Sequence, residues 1–261
     1  MLLSYNYFGF SAWLAKAPWT LIFPIFLGVI TYGSAEHTDH VNLGKHSVTE
    51  EHEGIVSFTG AWDSKYVSEG RDNLDSGGLA SVAAEWSSHF DSQDLFLTSW
   101  YAESTDTSYT ELNLGIGYGI NLEEGGVNVG YTWLDFADDD ESDNDISLEL
   151  TTNTLEAIDL TAAFVYSTEA SGTWIELIAS TEFERNPFTI APYALLGINK
   201  GYVANEYDGL NNLQLGIDIS TPLNEKVSLG GYLTYIIALD DDHDETLDDI
   251  FWLGVYLEFG N

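Results

Sequence analysis

From Ile55 to Phe259 the chain alternates apolar and polar side chains, and a pattern with a period of two admits few folds. In 111–122, Leu112, Leu114, Ile116, Tyr118, Ile120 and Leu122 share one face, while Glu111, Asn113, Gly115, Gly117, Gly119 and Asn121 share the other. Segment 212–220 sets Leu213, Leu215, Ile217 and Ile219 against Asn212, Gln214, Gly216, Asp218 and Ser220. The last run carries Phe251, Leu253, Val255, Leu257 and Phe259, interleaved with Trp252, Gly254, Tyr256 and Glu258. No stretch after residue 36 has helical spacing. Twelve runs predict strands at 55–62, 79–88, 94–103, 109–121, 127–136, 145–152, 157–167, 173–184, 188–199, 210–220, 227–238 and 249–259.

An even number of strands, each about ten residues long, is the pattern of a bacterial transmembrane barrel. Connection lengths give a separate test, because such barrels alternate long outer loops with short periplasmic turns. Segments 88–93, 122–126, 153–156, 185–187 and 222–226 are short and turn-like. Segments 63–78, 137–144, 200–209 and 239–248 are longer, whereas 104–108 and 168–172 are short. The alternation places both ends of the mature chain in the periplasm.

A soluble sandwich also alternates, with its apolar face toward a core. Two features point instead to a barrel whose apolar face meets lipid. Tyr101, Tyr131, Trp133, Tyr166, Phe183, Phe188, Tyr235, Phe251 and Phe259 stand on the apolar register near strand ends, as interfacial girdles require. The polar register is rich in Gly and short polar groups, which leaves room for water. A sheet in lipid must also close on itself, since an open edge would leave backbone groups unpaired. The expected fold is all-β, an antiparallel up-and-down transmembrane β-barrel of about 12 strands spanning 55–261.

The first 35 residues differ from the rest. They hold no acidic residue and one base, Lys16, and an apolar stretch runs from Trp19 to Ile30. Gly33, Ser34 and Ala35 then offer the small residues a signal peptidase reads, so 1–35 is expected to be a cleavable signal peptide. The competing reading, an uncleaved anchor, needs about 20 apolar residues, more than this stretch supplies. Residues 36–54 are polar and aperiodic, and read as a flexible periplasmic lead-in. Their His37, His40, His46 and His52 could capture zinc or copper.

The chain carries 43 acidic and 7 basic residues, a net charge of −36, and no cysteine. Nucleic acid is excluded as a partner, since its binding depends on Lys and Arg at the phosphates. The expected partners are outer-membrane lipid, the barrel-assembly machinery, and small solutes or cations. The polar register puts Glu85, Glu111, Asn113, Glu149, Glu176, Glu182, Gln214, Asp218 and Glu258 in the lumen. Carboxylates in a pore favour cations. Lys65, Arg71 and Lys200 are expected at the outer rim and Arg185 and Lys226 in turns, so no base is expected in the middle of the lumen.

Two acidic runs, Asp135–Asp145 and Asp240–Asp249, are read as outer loops. Asp138, Asp139, Asp140, Asp241, Asp242 and Asp244 are the candidate ligands for a divalent cation, although neither run has EF-hand spacing. No cofactor is otherwise implied. His243, between Asp242 and Asp244, could act with a carboxylate as a base at the rim. No Ser with a matching His and Asn accompanies it, and the chain is not read as an enzyme.

The segment Trp62–Asp72, with its Lys65-Tyr66-Val67-Ser68-Glu69-Gly70 core, resembles the end of the first strand in TorF-like porins and related outer-membrane β-barrel proteins. A second patch, Gly197–Val203 with Asp208-Gly209 and Asn211-Asn212, is similar to a later loop of that group. The resemblance implies an outer-membrane location in a Gram-negative bacterium and a pore or transport role, and supplies no catalytic residue. Three functions follow in order of preference: a cation-preferring channel for small solutes, a non-conducting structural or adhesive barrel plugged by side chains such as Trp100, Trp252, Tyr193, Tyr232 and Tyr256, and a rim hydrolase using His243.

Overall fold

The computed structural model describes residues 54–74, 76–138, 141–155, 157–203, 208–239 and 248–260. The expected leader at 1–35 lies outside them, as does all of the expected lead-in at 36–54 except Gly54. The described residues form strands and turns and no helix. In chain order the strands are β1 (Ile55–Asp63), β2 (Val67–Ser68), β3 (Arg71–Asp72), β4 (Leu79–Phe90), β5 (Gln93–Ser104), β6 (Thr110–Leu122), β7 (Gly125–Phe136) and β8 (Glu141–Leu155). They continue as β9 (Ile158–Ser167), β10 (Gly172–Ser180), β11 (Phe183–Arg185), β12 (Phe188–Lys200), β13 (Asp208–Asn224), β14 (Val227–Ala238) and β15 (Ile250–Gly260).

Thirteen of these make one antiparallel sheet, and β2 pairs only with β3. Because β11 resumes β10 after Thr181 and Glu182, the sheet has twelve staves. β1 pairs with β15, with Trp62 opposite Val255, and β10 pairs with β12, so the sheet closes. Closure pairs the backbone groups that an open edge would leave in lipid.

The side chains sort by face as alternation dictates. Ile116 (49% exposed) lies opposite Tyr131, and Leu148, Leu215 and Leu233 also point outward. An apolar band around the whole girth is not a surface for water. In lipid each such Leu or Ile gains the roughly 1.5–3 kcal/mol of full burial. Tyr101, Tyr166, Tyr235 and Phe251 are exposed toward one end of the band, and Phe58, Phe183, Phe188 and Phe259 toward the other. These are the two girdles expected of a membrane barrel.

One end is built from two-residue turns, Asp91–Ser92, Glu123–Glu124, Asn186–Pro187 and Glu225–Lys226, and there Leu155 of β8 pairs with Ile158 of β9. The other carries the longer connections, Ser64–Gly78 above all. Two expectations need correction. The acidic run at 137–144 is not a loop throughout, because β8 begins at Glu141 and pairs it with Phe136. Asp143 and Asp145 therefore sit on the inward face of a strand, Asp145 fully buried. The expected strand 173–184 is also interrupted, at Thr181 and Glu182.

The buried apolar cluster lies inside the barrel at its long-loop end. Tyr66, Leu74, Tyr202 and Val203 from connections pack there against Leu79, Trp100, Leu134, Phe136, Val165 and Trp174 of the wall. The molecule thus has its lipid face outside and a small core in its mouth.

Candidate functional site at the barrel mouth

The connection Ser64–Gly78 folds into the barrel. Val67-Ser68 and Arg71-Asp72 pair as a hairpin around Glu69-Gly70, with Ser68 opposite Arg71. Glu69 (φ 43) and Gly70 (φ 81) both adopt the left-handed conformation that a two-residue hairpin turn of this hand demands. Gly accepts it freely, whereas Glu is held there at a cost of roughly 1–2 kcal/mol. The tip is also close-packed: a Cβ on Gly70 would stand 2.7 Å from Oδ1 of Asn211.

Tyr66 anchors the hairpin. Its ring lies 5.3 Å from that of Tyr109 and 6.4 Å from that of Trp100, and its hydroxyl donates to Oε2 of Glu111 at 2.8 Å. Tyr109 donates to the same carboxylate oxygen. Within the hairpin Lys65 Nζ donates to Asp72 at 2.5 Å, Ser68 Oγ donates to Glu69 at 2.5 Å, and Asn73 Nδ2 donates to Ser68 Oγ at 2.7 Å.

Tyr66, Val67, Ser68 and Glu69 are fully buried, and Arg71 is 4% exposed. The expectation that Arg71 stands at the outer rim is therefore wrong. A loop that turns inward carries its charges into the lumen. Arg71 lies within electrostatic reach of Glu69, as do Glu176 of β10 and Asp145 of β8. Burial pushes the Glu69 carboxyl well above its ordinary range, and Glu176 and Asp145 add to the rise, while Ser68 and Arg71 oppose it. Lys65 is partly exposed, and Lys200, Arg185 and Lys226 are exposed.

A second connection joins the constriction. Tyr202 and Val203 turn inward after β12, their backbone N–H groups donating to Oδ1 of Asn199 at 2.9 and 3.0 Å. The Tyr202 hydroxyl donates to Asp145 Oδ2 at 3.0 Å. The mouth is thus closed in from two sides.

Of the predicted lumen residues, Glu111, Asn113, Glu149, Glu176 and Gln214 are buried on the inward face. Glu111 and Glu176 surround the hairpin. Trp174 Nε1 donates to Glu176 at 3.0 Å, and Asn128 donates to Glu149 at 2.9 Å. Glu85, Asp218 and Glu258 are half-buried in the half of the lumen nearer the two-residue turns. Glu182 falls in the break between β10 and β11 and is exposed. Sequence reasoning did not foresee Glu69, Arg71, Asp145 and Tyr66 as lumen groups. The signal was present in Tyr66-Val67 followed by the turn pair Glu69-Gly70.

No group of three or more His, Asp or Glu side chains able to hold a metal ion occurs among the described residues. Asp138 is exposed, while Asp139, Asp140, Asp241, Asp242, Asp244 and His243 lie outside the described residues. His89, at the two-residue-turn end, is bonded to Asp94 at 2.6 Å.

No family model and no curated protein matches the chain. Among solved structures, a KdgM porin in complex with disordered oligogalacturonate aligns with a TM-score of 0.52 at 8% identity, over 78% of this chain and 98% of that one. Another KdgM porin structure gives 0.51 at 8% identity, with the same coverage of both chains. An outer membrane channel from Pseudomonas putida F1 aligns at 0.47 and 13% identity, over 85% of this chain and all of that one. The likeness to the KdgM porin is one of fold, that of an outer-membrane porin barrel.

Proposed function

We propose that the chain is an outer-membrane channel for small solutes that prefers cations, with the hairpin β2–β3 as the constriction at its outer mouth. The protein is exported by its leader, folded into the outer membrane of a Gram-negative bacterium by the barrel-assembly machinery, and oriented with the two-residue turns in the periplasm. The observation that carries this reading is the polarity of the inward face below the hairpin. There Glu85, Glu149, Asp218 and Glu258 line the wall, and the base described inside the barrel, Arg71, belongs to the hairpin above them. Carboxylate-lined pores select cations. The resemblance of Trp62–Asp72 to TorF-like porins supports a pore as well.

The KdgM structure was solved with an oligogalacturonate, a polyanion. With four lumen carboxylates, this chain would repel such a solute, so the shared fold carries an opposite preference. Planar-bilayer recording in a KCl gradient tests the reading. A reversal potential on the potassium side is expected, and an anion-selective current would overturn it.

The inward fold of Tyr66–Asp72 and Tyr202-Val203 favours a second reading, a barrel closed to ions. Its test is a variant with the hairpin replaced by a short Gly-Ser linker. Current from both forms supports an open channel with a constriction. Current from the variant alone marks the hairpin as a closed gate, and current from neither supports the non-conducting structural or adhesive barrel.

A further inference from the structure

The two walls of the lower lumen are built differently. On β6 and β7 the inward positions include Gly115, Gly117, Gly119 and Gly130, over which the side chains of Thr98, Phe96, Asn128 and Ser147 reach. The opposite wall, β12–β15, carries three tyrosines on the inward register. Each lies flat over a glycine of a neighbouring strand: Tyr193 over Gly216, Tyr256 over Gly230, and Tyr232 over Gly254. Any side chain at those glycines would collide with the ring. The pairing sets each ring against backbone; all three residues are half-buried, and Tyr232 also packs against the buried clusters of the mouth.

Carboxylates border these rings, and the Tyr232 hydroxyl donates to Asp63. The Tyr256 hydroxyl donates to Asp218 Oδ1 at 2.9 Å, and Tyr232 is the direct cross-strand neighbour of Asp218. Tyr193 stands within electrostatic reach of Asp218, with its hydroxyl held by Gln214 Nε2 at 2.8 Å. Glu258 lies within reach of Asp218, and Glu85 within reach of Glu258. Strands about 4.8 Å apart spread the three tyrosines and Asp218 over roughly 1.4 nm along the wall.

We propose that this wall is a binding site for small organic cations, alkylammonium groups above all, which the lumen holds in transit. An aromatic face attracts a cation within about 6 Å of its centroid, and the attraction grows as water is excluded. Asp218 and Glu258 add two carboxylates beside the rings. An alkylammonium ion matches both, since its methyl groups cover the rings while its charge is shared with the carboxylates. A sugar acid is repelled, and a neutral alcohol gains only the ring contact.

The inference deepens the channel reading and rests on it, but its test requires no current. Choline and its neutral isostere 3,3-dimethylbutanol are titrated calorimetrically into the full-length folded barrel in detergent. Choline should bind at least tenfold tighter. Asp218→Asn, close in shape, should weaken choline at least fivefold, and Tyr256→Phe, which keeps the ring, should bind within twofold of the parent. Tyr256→Ala should lose at least tenfold, with heat-modifiable gel migration verifying that it folds. Equal binding of choline and isostere overturns the proposal, as does choline affinity unchanged in Asp218→Asn. Choline binding without ionic current upholds the site and refutes the channel. Potassium-selective current without choline binding does the reverse.

Discussion

The Tyr66 hydroxyl reaches Oε2 of Glu111 at 2.8 Å, joining a connection that folds inward to the wall strand β6. Glu111 is fully buried and takes its second phenolic donor from Tyr109. Tyr66→Phe would remove one donor and leave the carboxylate in place. A hydrogen bond contributes about 0.5–1.5 kcal/mol net, so hairpin docking should weaken by that order. Trypsin reads the change directly, because docking hides Arg71. Cleavage after Arg71 should be several-fold faster in Tyr66→Phe than in the parent, while an unchanged rate would mean that the bond does not hold the hairpin.

Docking should also depend on pH, and the sign follows from Glu69. Its carboxyl is pushed above its ordinary value of 4.5 by burial, then by Glu176 and Asp145, against Ser68 and Arg71. Facing it from the second inward connection is Tyr202. Between 4.5 and the raised value the docked hairpin holds a proton that the free one has shed. Docking is therefore strongest below 4.5 and weakens through that window as pH rises, by up to about 1.4 kcal/mol per pH unit. Trypsin cleavage at Arg71, corrected for the enzyme's own pH profile, should accelerate with rising pH. Glu69→Gln should flatten that slope; a slope that survives the substitution would assign the titration to another group.

The barrel and its register were legible because lipid and lumen impose opposite demands on successive residues. Leu112 to Leu122 could face outward in only one way. Asp143 was misread because β8 runs past the lipid band, where alternation no longer has to be apolar on either face. Arg71 was misplaced for another reason. Whether a loop turns into a barrel or away from it depends on the space the walls leave, which no local pattern reports. The carboxylates on regular strands, such as Glu111 and Glu176, followed their register, while those brought in by the hairpin did not.

Charge selectivity should reside in the lower lumen. Glu85, Asp218 and Glu258 stand on the inward face and partly meet solvent, so their fields act on a passing ion. Replacing all three by Gln, Asn and Gln should reduce the potassium-to-chloride permeability ratio several-fold, with conductance little changed. Neutralising exposed Glu182 at the turn end should leave the ratio close to that of the parent. Reversal potentials in asymmetric KCl measure both. A ratio unaffected by the triple change would move the filter up to the hairpin carboxylates.

The outward face offers a test of membrane insertion that does not depend on conduction. Leu148 points to lipid near the middle of β8, and Ser147 beside it points to the lumen. An Arg at the midplane of a barrel's lipid face costs about 2–4 kcal/mol, whereas one in a wet, acidic lumen meets water and carboxylates. Leu148→Arg should therefore lower unfolding stability in lipid vesicles by that amount, and Ser147→Arg should change it by less than about 1 kcal/mol. Reversible urea unfolding followed by Trp fluorescence gives both values. Equal losses would mean that the two faces meet the same medium, and the barrel would then not be one that lipid surrounds.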